Sequence, residues 1–158
     1  IIPYNRFSDI YHFVNGFAAN DPQSTLNIWQ KICDMDYNSK DPIVIMNCRQ
    51  DRVDRTEIFV RNVFPNIETH TLIGIGEVTE PITTAFKNGE LPNVKNYIDL
   101  ENASPDEILE VISPLMKNRV IYGVGNIHGT GEPFIERLLS MSQDKTKTDY
   151  SETKEAII

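Results

Sequence analysis

IVIMNC, residues 43–48, is apolar at almost every position, so neither face of it can be turned to water. A strand with one wet face alternates apolar and polar residues, whereas a strand covered by helices on both faces reads as an unbroken β-branched run. RVIYGV, residues 119–124, has the same character. Outward from these two, short apolar runs alternate with longer stretches of helical period. That is the pattern of repeated β-α units, and it predicts an α/β fold: a doubly wound, mostly parallel, Rossmann-like sheet. The strand candidates are Tyr11–Asn15, Ile43–Cys48, His70–Ile75, Val94–Leu100 and Arg119–Gly123.

Helices fit between them. Residues 22–36 open with Pro22 just inside the start and set Leu26, Trp29, Ile32 and Cys33 on one stripe. Residues 54–64 direct Ile58, Val60, Val63 and Phe64 inward. Pro81–Lys87 makes a shorter helix ended by Asn88-Gly89. Ser104-Pro105-Asp106-Glu107 has the form of a capping box, and a last helix is expected from Glu132 to about Met141. The expected organisation is one domain over residues 1–141, followed by a polar tail over 142–158 that is mobile.

The chain has 158 residues, 40% hydrophobic and 24% charged, the balance of one ordinary globular domain. A net charge of −8 argues against nucleic acid as the main partner, because phosphate backbones call for clustered Lys and Arg. Two cysteines, Cys33 and Cys48, are too few for a disulfide framework. Both fall in segments expected to be buried, and the reading is of free thiols in a reducing cytosol. No apolar run approaches the roughly 18 residues of a membrane span, and the reading is of a chain without a signal peptide. The start at Ile1-Ile2-Pro3, without methionine, reads as the middle of a longer protein, and a processed chain would look the same.

In doubly wound sheets ligands bind at the carboxyl ends of the strands, so function reduces to four loops. In the first, Asn15–Pro22, Asn20 or Asp21 is placed either to cap the next helix or to touch a ligand. The second, CRQDRVDR, sets Arg49, Asp51, Arg52, Asp54 and Arg55 directly after the most apolar strand. Arginines there offer planar, bidentate recognition of carboxylate or phosphate; the competing reading is a solvated patch neutralised by its own aspartates. The third loop, GIGEVTEP, brings Glu77 and Thr79, and the fourth, GVGNIHGTGEP, brings Asn126 and His128. Their glycines allow backbone N–H groups to approach an anion closely. GVGNIHG is not a dinucleotide fingerprint, since its spacing departs by one and it follows the last strand. His12 and His70 fall in strands, and no histidine pair has metal-ligand spacing. There is no G-x-x-x-x-G-K-[ST] phosphate loop, no G-x-S-x-G elbow and no Cys–His nucleophile. These residues can orient and neutralise charged groups, but they do not form a self-sufficient catalytic set.

FVNGFAANDPQST, PIVIMNCRQDRVDRTE, LIGIGEVTEPI and NRVIYGVGNIHGTGEPFIE together resemble the carboxyl-terminal part of the poly-γ-glutamate synthase ligase subunits (PgsB/CapB type) of the Mur ligase superfamily. The likeness runs from about residue 4 to 141, in order. Asn15–Pro22 is similar to the D-Y-A-H-N-P pattern that opens the third Mur domain, with Asn15 where the ribose-contacting aspartate stands. Asn47–Arg52 is similar to G-C-G-G-D-R, matching at Asp51 and Arg52, and Gly125–Gly129 to G-K-G-H-E, retaining His128. The resemblance implies an ATP-dependent amide ligase that adds glutamate to growing poly-γ-glutamate through an acyl phosphate, in capsule biosynthesis. It implies substrate contacts at Arg49, Asp51, Arg52, Arg55, Glu77, Thr79, Asn126 and His128, and nucleotide contacts at Asn15, Asn20 and Asp21. It further implies that ATP and Mg2+ are held mainly by a preceding ATP-binding domain, so that this chain alone is inactive. Small membrane subunits are the implied partners, and they place the protein in the cytoplasm at the inner face of the membrane. The alternatives are a stand-alone α/β binding or regulatory module of flavodoxin-like or receiver type, and an oxidoreductase domain, which the misplaced glycines disfavour.

Overall fold

The computed structural model describes residues 2–6, 9–35 and 37–145. Eleven elements follow in chain order. They are β1 (Ile2–Arg6), β2 (Asp9–Asn15), α1 (Pro22–Asp34), β3 (Ile43–Cys48), α2 (Val53–Asn62) and β4 (Thr69–Gly76). Then come α3 (Glu80–Lys87), β5 (Val94–Glu101), α4 (Pro105–Ile112), β6 (Val120–Gly125) and α5 (Gly131–Lys145). One six-stranded sheet has the order β1-β2-β6-β3-β4-β5. All neighbours in it are parallel except β1, which runs antiparallel to β2. The sequence pattern points to the five parallel strands within two residues at their ends. It misses β1, whose IPYNR run carries a proline and no alternation, as edge strands can.

The two runs that decide the fold are buried along their whole length, β3 and β6 alike. Successive side chains point to opposite faces, and each face has its own core. Val44, Met46, Tyr122 and Val124 meet Ile28, Trp29 and Ile32 of α1, Phe59 of α2 and Ile82 of α3. Ile43, Ile45, Ile73 and Ile121 meet Ile108 and Ile112 of α4 and Phe134 and Leu138 of α5. Each of these side chains contributes about 1.5–3 kcal/mol by leaving water. The result is three layers, α1–α3 on one face and α4–α5 on the other.

Two local expectations are corrected. Cys33 is exposed, because the buried stripe of α1 is Thr25, Ile28, Trp29 and Ile32, and Cys33 lies one step of about 100° beyond it. In α2 the side chain facing the sheet is Phe59, not Ile58, because the stripe runs through Thr56, Phe59 and Val63. The helix starts hold: Asp21 caps α1, and Ser104 and Glu107 close a reciprocal capping box on α4. Helix α5 continues four residues past Met141, to Lys145. What the sequence suggests for the tail beyond Lys145 lies outside the described residues.

The connection through α4 returns the chain from the β5 edge to a slot between β2 and β3. Helices α1 and α2 leave β2 and β3 toward one face, while α5 leaves β6 toward the other. The loops therefore part around the carboxyl end of β6, which is where a crevice forms in an open α/β sheet.

Candidate functional site

Three loops meet at that crevice. The first, after β2, packs directly on β6. The Gly16 N–H donates to the Gly123 carbonyl at 2.9 Å, and a Cβ on Gly16 would come within 2.6 Å of the Tyr122 ring. Only a glycine lets the two backbones approach so closely. The Asn15 side chain accepts from the Phe17 N–H at 3.3 Å, steadying this turn, and Asp21 accepts from the Ser24 N–H at 2.8 Å as the cap of α1. Asn20, exposed between them, reaches the crevice with Phe17 and Ala18.

The second loop passes from β3 through a 3-10 turn, Gln50–Arg52, straight into α2. Arg49 is ion-paired with Asp51 at 2.7 Å, and Arg52 stands 3.8 Å from the same carboxylate. Arg55, on the first turn of α2, donates to the Asn126 side-chain oxygen. Among the described residues it faces no carboxylate at ion-pair distance.

The third loop, between β6 and α5, is tied to the end of β3 by two asparagines. The Asn47 Nδ2 donates to the Asn126 carbonyl at 2.6 Å and to the His128 carbonyl at 2.8 Å. In return the Asn126 Nδ2 donates to the Asn47 carbonyl at 2.9 Å. Both residues are buried, at 0% and 3% exposure. His128 is exposed at the rim, 2.7 Å from Glu132 one turn on.

Together these loops line a hollow of about 210 Å³, below the roughly 300–1,000 Å³ of complete small-molecule pockets. Arg49, Arg52 and Arg55 lie on one wall and Asn126, Ile127 and His128 on another. The helices that follow the strands begin at this edge, so their positive dipole ends face it. The arrangement suits an anion, with Asp51 the carboxylate paired to two of the three arginines.

Arg49, Arg52, Arg55, Asn126, His128 and Asn20 thus converge, with Asp51 ion-paired to the first two and Asn15 and Asp21 holding the first loop. Glu77 and Thr79 do not join them. Their loop follows β4, one strand further from β6. Thr79 is 1% exposed, and its N–H and hydroxyl donate to Glu101 at 3.0 Å and Asp99 at 2.7 Å. Glu77 faces solvent, its N–H tied to the Cys48 carbonyl at 2.9 Å. The residue that loop-based reasoning passes over is Asn47; its signal was a lone amide inside an otherwise apolar central strand.

Reactive groups nearby are quiet. Burial pushes the Cys48 thiol up to about 12, against a smaller downward pull from the Thr56 hydroxyl. Tyr97 is likewise raised to about 12 by burial. Desolvation lowers His12 and His70 below the ordinary imidazole value, and neither lines the hollow. Among the described residues no group of His, Cys, Asp and Glu could hold a metal ion, and no helix is long and apolar enough to cross a membrane.

The profile of the poly-gamma-glutamate synthase CapB C-terminal domain matches residues 1–141. The chain is 56% identical over 138 residues to a protein of Bacillus subtilis (strain 168) named PGA synthase CapB, covering 87% of this chain and 35% of that protein. It is 55% identical over 127 residues to a Bacillus anthracis protein named capsule biosynthesis protein CapB, covering 80% of this chain and 27% of that protein. The chain therefore spans about a third of the length of these relatives or less.

Proposed function

The chain belongs to the poly-gamma-glutamate synthase CapB C-terminal domain family, and from that premise we propose that it is the acceptor side of an ATP-dependent amide ligase of capsule synthesis. In this reading it holds an incoming glutamate by its carboxylates while the amine attacks the activated end of poly-γ-glutamate. The observation that supports it is the hollow at the end of β6, with three guanidinium groups and a single carboxylate paired among them. Glutamate brings two carboxylates, and a planar guanidinium matches each with paired N–H donors. Holding the amine at a fixed distance from its target is a large source of rate without any reactive side chain.

The residues present do not suit the nucleotide's triphosphate or its Mg2+. No phosphate loop occurs in the sequence, and the described residues offer no cluster of acids for a divalent cation. Of the three nucleotide candidates, Asp21 is engaged as a helix cap and Asn15 in a turn, which leaves Asn20 facing the hollow. The proposal accordingly assigns carboxylate activation to the ATP-binding domain of the full-length protein. What these residues do is bind, orient and neutralise. Small membrane subunits as partners, and a place at the inner face of the membrane, belong to the same proposal.

The test is steady-state kinetics of full-length protein carrying Arg52→Ala or Arg55→Ala. Losing one charge-assisted interaction of ~1.5–3 kcal/mol raises the glutamate KM about tenfold or more. The ATP KM stays within about twofold, since a loss of uniform ligand binding is confined to the ligand held. A glutamate KM unchanged in both variants, or an ATP KM that rises in parallel, overturns the proposal.

A further inference from the structure

We infer that Asn126 is a positioning residue: it aims the Arg55 guanidinium at the hollow without neutralising it, and Asn47 fixes Asn126 for that task. The inference rests on the anion-binding reading of the hollow.

Four hydrogen bonds join Asn47 and the β6–α5 loop. Asn47 Nδ2 reaches the carbonyls of Asn126 and His128, and the Asn47 carbonyl accepts both the Asn126 Nδ2 at 2.9 Å and its backbone N–H at 3.3 Å. The strands bearing them are neighbours, with Asn47 beside Gly125 in register. This network fixes which way the Asn126 amide faces. Its NH2 group is held by the Asn47 carbonyl, so its oxygen must face Arg55. Turned over, it would set its own N–H groups against those of the guanidinium, which has only donors.

The chemistry of residue 126 carries the rest. A half-buried arginine is stabilised most by an opposing carboxylate, and Arg49 has one in Asp51. Arg55 instead meets a neutral amide. An amide oxygen occupies one of the five guanidinium N–H groups and gives direction, while the full positive charge and the other donors remain for a ligand. An Asp at 126 would close the ion pair internally and would also set a carboxylate oxygen against the Asn47 carbonyl, where the amide now donates. Only an amide can donate to Asn47 and accept from Arg55 at once, and it leaves the arginine its charge.

The experiment is a double-mutant cycle in full-length protein, with glutamate and ATP as probes and thermal melting of each variant as the folding control. Asn126→Ala is expected to raise the glutamate KM several-fold with kcat changed much less. In an Arg55→Ala background the same substitution adds less than about twofold, because the residue it aims is gone. Asn126→Asp is expected to raise the glutamate KM further than Asn126→Ala does, about tenfold or more, as a neutralised arginine no longer binds a carboxylate. Should Asn126→Ala fail to fold, Asn126→Ser takes its place in the cycle. An Asn126 effect that persists undiminished without Arg55 overturns the inference and marks the residue as structural. So does an Asn126→Asp protein whose glutamate KM stays within about twofold of the parent, while Arg55→Ala alone still raises it. If Arg55→Ala leaves the glutamate KM unmoved, the anion reading itself falls and the inference with it.

Discussion

Cys48 lies at the end of β3 with 1% exposure, and burial lifts its thiol to about 12, so thiolate is absent near neutral pH. Cys33 is the same chemical group on the open side of α1. A thiol reagent at pH 8 is therefore expected to modify one of the two cysteines quickly in native protein, and the second only on unfolding. Cys33→Ser should remove the fast reaction entirely; fast labelling of Cys48 in that variant would mean the end of β3 opens freely. At this scale the sequence was legible wherever chemistry and loop position coincide, as for Arg49, Arg52, Arg55 and His128. It was not legible for Asn47, because a buried amide acts through partners in the loop after another strand, 79 and 81 residues away. Nor was it legible for Thr79, whose hydroxyl looked available and is in fact held by Asp99.

The elements answer mostly to local rules, and α1 allows one to be tested by pH. Hydrogen bonds from Ser24, its backbone N–H foremost, hold the Asp21 carboxyl below its ordinary value of 3.8. A carboxyl depressed in the folded state adds stability above its unfolded value, and that contribution disappears as pH falls through the folded value. Asp21→Ala is expected to cost about 1 kcal/mol at pH 7, the worth of an N-cap on an exposed helix start. Asn caps as well as Asp and does not titrate, so Asp21→Asn should match the parent at pH 7 and lose less as pH falls from there to below the ordinary carboxyl value of 3.8. Urea unfolding at both ends of that range checks this; equal losses for Ala and Asn at pH 7 would deny the cap. The helix starts at Asp21 and Ser104 were readable because capping involves residues three apart in the chain. The face of α2 was misjudged by one residue, since Ile58 and Phe59 are both apolar and only the packed sheet chooses between them.

Across the whole molecule the two cores share one sheet, and side chains of a single strand enter both. Neither layer of helices can come away without exposing the strand residues that hold the other, so unfolding should be one cooperative transition. The sole tryptophan, Trp29, stacks on Tyr122 at 5.6 Å in the first core and reports there alone. Its fluorescence and the far-ultraviolet circular dichroism of all helices should give urea midpoints agreeing within about 0.3 M. Midpoints further apart would show that the α4–α5 layer unfolds separately. The sequence by itself determined the layered α/β class, the five parallel strands and the loops bearing charge, because apolar periodicity and helix capping are written in neighbouring residues. Only the tertiary structure decided that β6 inserts between β2 and β3. That insertion brings the arginine loop against Asn126 and leaves Glu77 and Thr79 one strand away. Strand order depends on which distant surfaces bury each other best, and no local pattern in the chain records that.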